Sequence, residues 1–334
     1  MTATTPRVVS GMRPTGQLHL GHLVGALGNW VPLQEKYDCF YFVADWHALT
    51  TDYADTSRLA SYAFENVADW IGAGLDPERS TIFIQSLVPE HAELYLLLSM
   101  VIPVPWLERV PTYKEQQENL TDKDLSALGF LGYPLLQTAD VALYDGRFVP
   151  VGEDQVAHLE LAREAVRRFN KFYGDVLVEP QPLLTPFGRL PGLDGDKKMS
   201  KSLGNTIHLS DTADDVKKKV MRMYTDPKRT RADVPGTVEG NPVFTYHDAF
   251  NPNTAEVDDL KGRYRAGKVG DVEVKTKLAA ALNAHLEPIR ERRAAALARP
   301  GHLKDILFEG STRARALAIE TMARVRDAMK IRYR

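Results

Sequence analysis

Two kinds of apolar pattern alternate along the front of the chain. Short runs rich in β-branched and aromatic residues, RVVSGM (7–12), CFYFVAD (39–45), STIFIQS (80–86) and RFVPVG (147–152), predict strands. Between them, GHLVGALGNWVPLQEKY and SRLASYAFENVADWIGAGL carry apolar residues at helical spacing. The second is preceded by capping residues and followed by Gly72, Gly74 and Pro77, which set its ends. Strands alternating with helices predict an α/β unit with a parallel sheet covered on both faces. Ligands of such sheets bind beyond the carboxyl ends of strands, and HLGH (19–22) directly follows the first strand there.

From about residue 210 the pattern changes. DTADDVKKKVMRMY, VEVKTKLAAALNAHLEPIRERRAAALARP and STRARALAIETMARVRDAMKIRYR are helical by period and composition, and strand-like runs disappear. The expected organisation is a catalytic domain over 1–205, with a helical insertion at about 88–135, followed by an all-helical C-terminal domain over 206–334. A chain of 334 residues is long enough for both. Between them LPGLDGDKKMSKSLGN, punctuated by Pro191, Gly192, Gly195 and Gly204, predicts a mobile loop.

Composition narrows the class. With 44% hydrophobic and 26% charged residues the chain is an ordinary soluble globular sequence, and its net charge of -2 leaves any polyanion to be met by a local basic patch. The single cysteine, Cys39, lies in an apolar run and cannot form an internal disulfide, which fits a small buried hydrophobe in a reducing compartment. The N-terminus lacks a secretory pattern and no apolar stretch approaches the roughly 18 residues of a membrane span, so the expected location is cytoplasmic.

In SGMRPTGQLHLGHLVGAL, Gly11 and Gly16 allow tight turns and Pro14 stiffens the loop. Gly21 sits where a helix begins, with unpaired amides expected to face an anion. His19 and His22 beside that helix end could bond phosphate oxygens as charge develops on them. A metal site would need further ligands, and the other histidines are scattered with no cysteine pairs, so no metal is assigned. Alone, the stretch also fits a turn with incidental histidines. KKMSKS (197–202) places Lys198 and Lys201 three apart in a glycine-flanked loop, suited to follow a departing pyrophosphate, although alone it fits a solvated basic loop equally. Farther back, Tyr133, Gln137 and Asp140 share a helical stripe. A helix burying that face would hold Asp140 as a single acceptor in an apolar pocket, where a ligand without the matching donor leaves it unpaired. A helix cap or a surface carboxylate is the plainer alternative. Gly152, in VGEDQ, lets the chain approach a ligand closely.

HLGH after the first strand and KMSKS after the last resemble the two signature motifs of class I aminoacyl-tRNA synthetases, which implies a Rossmann-like catalytic domain. SGMRPTGQLHLGHLVGAL, VADWHALT, IFIQSLVPEHAE, YPLLQTADVALY and VPVGEDQVAHLELARE are similar to stretches of the bacterial tryptophanyl branch over about 7–210. The helical remainder matches only in general character. The resemblance implies a tryptophan–tRNA ligase. L-Tryptophan would be activated by ATP to the adenylate with release of pyrophosphate, then transferred to the 3′-terminal ribose of tRNA(Trp). It further implies Mg2+ held mainly by the ATP phosphates, an anticodon-reading helical domain, a homodimer and no membrane association. Such chemistry needs no base, because the attacking carboxylate is already ionised at neutral pH. By resemblance His19, His22, Lys198 and Lys201 are catalytic. Arg13, Pro14, Thr15, Gly21, Gly152, Glu153, Asp154, Leu190, Met199, Ser200 and Ser202 complete the ATP site. Tryptophan would be held by Asp140, Tyr133, Gln137, Gln155, His47, Gly11, Val149 and Val151.

The chain departs from that branch in places. His22 stands where many tryptophanyl enzymes have Asn, only Lys114 is basic near Gln116, and Gln137 replaces a frequent Met. YPLLQ is similar to tyrosyl enzymes, making tyrosine the alternative substrate. A small-molecule nucleotidyltransferase or a non-charging paralogue would also carry an HxGH motif, but KMSKS and the helical domain count against both. IRERR, STRARALA and KIRYR offer Arg and Tyr for phosphate contact and base stacking. VIPVPWLERVPTY fits either a dimer interface or a buried helix.

Overall fold

The runs expected as strands extend because β-branched and aromatic side chains fit a pleated, buried surface. In a computed structural model that describes residues 5–110, 125–152, 156–184, 190–195, 199 and 203–333, they are β1 (Arg7–Met12), β2 (Asp38–Val43), β3 (Ser80–Ile84) and β4 (Phe148–Val151). A fifth strand, β5 (Gln181–Leu184), joins them in a parallel sheet of order β3-β2-β1-β4-β5. QPLL is too short to show a period, and Pro182 is tolerated because β5 is an edge strand. β1 pairs with β2 on one side and β4 on the other, so the winding reverses at its carboxyl end, the usual ligand position.

Contacts divide the chain into a sheet unit of 1–16, 26–186 and 296–334, and a second unit of 17–25 and 187–295. This differs from the expected boundary at 205/206. The last helix, expected within the helical domain, belongs to the sheet unit.

Helices of the sheet unit are α2 (Gly28–Leu33), α3 (Asp45–Asp52), α4 (Leu59–Ala73), α5 (Glu90–Ser99), α6 (Val104–Glu108), α7 (Leu128–Ala142), α8 (Val156–Tyr173) and α13 (Pro300–Ala328). Within segment 88–135, expected as an insertion, Leu94, Leu98, Ile102 and Leu107 are buried in the main core with Phe42, Phe83 and Tyr144. Cys39 is fully buried, and burial pushes its thiol up to about 11, with only partial opposition from a hydrogen bond to Tyr41, as fits a small hydrophobe.

Helix α13 closes the open edge at β3. Ser311 Oγ accepts the Ile84 N–H at 3.2 Å and donates to Leu307 O at 2.6 Å, while Gly310 lies against the Ile82 carbonyl. An uncovered edge would leave such groups unpaired. Ala314, Ala318, Met322 and Val325 continue this face into the main core. Arg315 on Glu90 at 3.1 Å and Arg326 on Glu93 at 2.7 Å tie α13 to α5.

The second unit contains α1 (Leu20–His22), α9 (Ala213–Met221), α10 (Pro242–Phe250), α11 (Thr254–Arg265) and most of α12 (Asp271–Leu297). Thr212, Asn241 and Asn253 cap α9, α10 and α11 with side-chain oxygens. The helix expected after HLGH runs without a gap from Leu20 to Leu33, wound as a π-helix over Leu23–Leu27 between α1 and α2, and Pro32 is accommodated in α2.

A methyl group at Gly310 would lie 1.9 Å from Ile82 O, forcing helix from strand. Gly310→Ala is therefore expected to destabilise the protein by about 2 kcal/mol. Gly301→Ala, where nothing lies within 4 Å, should leave stability unchanged or slightly raised. Urea unfolding of both variants checks the contrast.

Candidate active site

His19 is the N-cap of α1, and its Nδ1 accepts the Gly21 N–H at 3.1 Å. His22 Nδ1 accepts the His19 N–H at 3.2 Å, completing a reciprocal capping arrangement. His22 N–H donates to His19 O at 2.8 Å and Leu20 N–H to Ile207 O at 3.0 Å. The amides of residues 19–22 are thus all engaged within the protein, which corrects the expectation that they face an anion. A ring whose Nδ1 accepts carries its proton on Nε2. Both imidazoles therefore have Nε2–H as the donor, with ring centroids 3.9 Å apart.

The flanks of the lysine loop are built onto this motif. Leu209 N–H donates to Leu18 O at 2.9 Å, and His208 bridges His19 in antiparallel register. Met199 is 4% exposed, and its Sδ is 3.4 Å from where a Gly21 Cβ would stand. That Cβ would also lie 2.9 Å from the His19 ring, so only glycine fits. Gly195 and Gly204 have φ of 91° and 63°, conformations open to glycine at no steric cost. Asn205 Nδ2 donates to both Asp194 oxygens at 3.1 Å, bracing the loop's near end. Lys198, Ser200, Lys201 and Ser202 lie outside the described residues, as do Glu153, Asp154, Gln155, Lys114 and Gln116.

In the sheet unit, Asp140 on α7 is fully buried. Its Oδ2 lies 2.7 Å from His47 Nε2, and its Oδ1 lies 2.7 Å from both Gln85 Nε2 and His91 Nδ1. An ionised carboxylate only accepts, so both histidines are donors here. Burial alone would raise the Asp140 pKa, but the His47 and His91 donors prevail and hold it at about 2. His91 Nε2 is 2.6 Å from the Tyr144 hydroxyl. Burial, reinforced by the charges of Asp140 and Glu90, drives the Tyr144 pKa far up and keeps it an O–H donor. Gln85 Oε1 accepts the Trp46 N–H at 3.2 Å, joining the start of α3 to the cluster. The apolar pocket expected around Asp140 is therefore a polar network. Gln85, His91 and Tyr144 were not singled out by sequence, although all three fall in segments quoted for the resemblance.

Other candidates occupy varied settings. Tyr133 and Gln137 are half-buried on the Asp140 helix. Arg13 and Thr15 are exposed and Pro14 buried in the turn after β1, where Thr15 N–H donates to Arg13 O at 2.9 Å. Gly11 is exposed, with the Phe42 ring where a Cβ would be; Gly152 ends β4; Leu190 is buried. Val149 and Val151 pack with Val141, Leu159 and Ala162. Several arginines expected to meet RNA are engaged internally: Arg290 with Glu287, Arg315 with Glu90 and Arg332 with Asp327.

Comparison with known proteins accords with this geometry. Residues 1–287 match the family described as tRNA synthetases class I (W and Y). The chain is 51% identical over 330 residues to a tryptophan–tRNA ligase of Treponema pallidum, covering 98% of each protein. It is 49% identical over 328 residues to that of Thermotoga maritima, covering 98% of this chain and all of the relative. The crystal structure of tryptophanyl-tRNA synthetase from Campylobacter jejuni, complexed with ADP and tryptophan, superposes with a TM-score of 0.87 at 34% identity. The match covers 97% of this chain and 99% of that one. Tyrosyl-tRNA synthetase from Archaeoglobus fulgidus is more distant, with a TM-score of 0.66 and 26% identity. With the family model matched over 1–287 and relatives matched along nearly their whole length, the chain belongs to the class I tRNA synthetases of the tryptophan and tyrosine branch.

Proposed function

We propose that the protein is a tryptophan–tRNA ligase, and the observation that carries this is the Asp140 carboxylate. Of its roughly four acceptor positions, three are occupied by donors among the described residues, and the fourth is on Oδ2. His47 shares that oxygen and is the one donor of the three with exposed surface, its side chain 12% exposed. Asp140 itself has no exposed surface, so an indole N–H reaches Oδ2 once the partly exposed His47 side chain gives way, and there it meets a charged, dry acceptor.

The amino acid's carboxylate attacks the α-phosphorus of ATP, the bond to the bridging oxygen breaks, and pyrophosphate departs. His19 and His22 offer Nε2–H donors as charge builds on the phosphates, and Lys198 and Lys201 follow the leaving group. The terminal ribose hydroxyl of tRNA(Trp) then attacks the adenylate carbonyl and AMP leaves. Mg2+ would be carried mainly by the phosphate oxygens of ATP and would help neutralise their charge. Exposed Leu96, Met100, Val104 and Leu128 suit a homodimer interface, and the helical residues after 206 supply the anticodon contacts. No helix among the described residues is long and apolar enough to cross a membrane, and we place the enzyme in the cytoplasm.

Pyrophosphate exchange should respond to tryptophan and not to tyrosine; stimulation by tyrosine alone overturns the proposal. Asp140→Asn should lower kcat/KM for tryptophan by about 10- to 100-fold, the scale of a hydrogen bond to a charged group, and weaken selection against amino acids lacking an indole N–H. Lys201→Ala should slow adenylate formation in single turnovers by about 10²-fold while tryptophan affinity is retained.

A further inference from the structure

We propose that His91 and Tyr144 are positioning residues for amino-acid selection, holding the Asp140 carboxylate so that Oδ2 is presented to the indole N–H. The inference rests on the tryptophan reading above. Both side chains are fully buried, as Asp140 is, and their hydrogen bonds lead to the carboxylate through His91.

Asp140 and Tyr144 are four residues apart, and neighbours at that spacing lie on one side of a helix. His91, from α5, bridges them: one ring nitrogen meets Asp140 Oδ1 at 2.7 Å and the other meets the Tyr144 hydroxyl at 2.6 Å. With the hydroxyl donating to Nε2, the ring proton stays on Nδ1, where Oδ1 accepts it. A half-turn of the imidazole would break both bonds. Phe83 stacks beside His91 with centroids 6.2 Å apart, and Phe40 stacks on Tyr144 at 5.3 Å. These walls restrict both rings. His91 and Gln85 occupy Oδ1 from two different elements, and among the described residues Oδ2 has only His47. Loss of the His91 donor would let the carboxyl turn to seek another partner, degrading the acceptor that discriminates.

The test compares KM and kcat for tryptophan with those for benzothienylalanine, in which sulfur replaces the indole N–H. His91→Leu should raise the tryptophan KM by about 10- to 100-fold, with kcat and the analogue KM each changed less than about threefold. Preference for tryptophan then collapses. His91→Asn, whose amide can donate where Nδ1–H stood, should restore most of that preference. Tyr144→Phe removes only a hydroxyl and should reduce the preference by about three- to tenfold. Folding is checked by thermal melting, and if His91→Leu does not fold, Tyr144→Phe decides alone. A folded variant whose tryptophan-to-analogue ratio equals that of the unmodified enzyme overturns the inference and leaves the tryptophan reading intact. An unmodified enzyme with no such preference overturns both.

Discussion

A carboxylate without exposed surface keeps its charge only where donors surround it, and Asp140 draws separate parts of the sheet unit together for that purpose. His47 comes from the helix after β2, Gln85 from the turn after β3 and His91 from α5, while Tyr144 follows at the end of α7. Withdrawing one partner from a buried charge typically costs about 3–5 kcal/mol. The network therefore fixes the carboxyl ends of β2 and β3 relative to α7. The covering of β3 by α13 obeys the same rule at a neutral site, where Ser311 completes a backbone N–H that the sheet leaves unpaired.

The two halves of the chemistry use opposite hydrogen-bond polarity. In the proposed reaction phosphate oxygens require donors, which the Nε2–H groups of His19 and His22 would be, the backbone amides of the motif being engaged within the protein. An indole N–H requires an acceptor, and Asp140 is held ionised to be one. No base with a tuned pKa is needed, since the nucleophile arrives already charged. On the proposed function, the motif would set the class of reaction and Asp140 the amino acid.

Four strands were legible because each is a local run whose composition matches a buried pleat. β5 was not, since four residues containing Pro182 carry no period. The helical character of 300–328 was also plain, but periodicity reveals that a helix has a buried face and says nothing of what covers it. Gly310, Ala314 and Ala318 along that face are the trace of close approach to a strand. HLGH was read as a helix entry from the same kind of local pattern, but the capping by its own imidazoles, which engages the amides expected to face an anion, was not. His91 was passed over as a scattered histidine, because its partner Asp140 lies 49 positions away and no spacing rule links a helix to the next but one. Counting arginines overstated the basic surface, since Arg290, Arg315 and Arg332 already face carboxylates.

The pairing of residues 18–20 with 207–209 has a consequence for how the activity can be dissected. It holds the first motif and the flank of the second in one body, with Met199 against Gly21 as a further contact. The His19 and His22 rings therefore keep their alignment with that flank. The acceptor network around Asp140 is built wholly from residues of the other unit. Groups that share no partner contribute nearly independent free energies. Defects in charge neutralisation should thus appear in the rate of adenylate formation, and defects in the network in amino-acid affinity, so the same kinetic measurements resolve both.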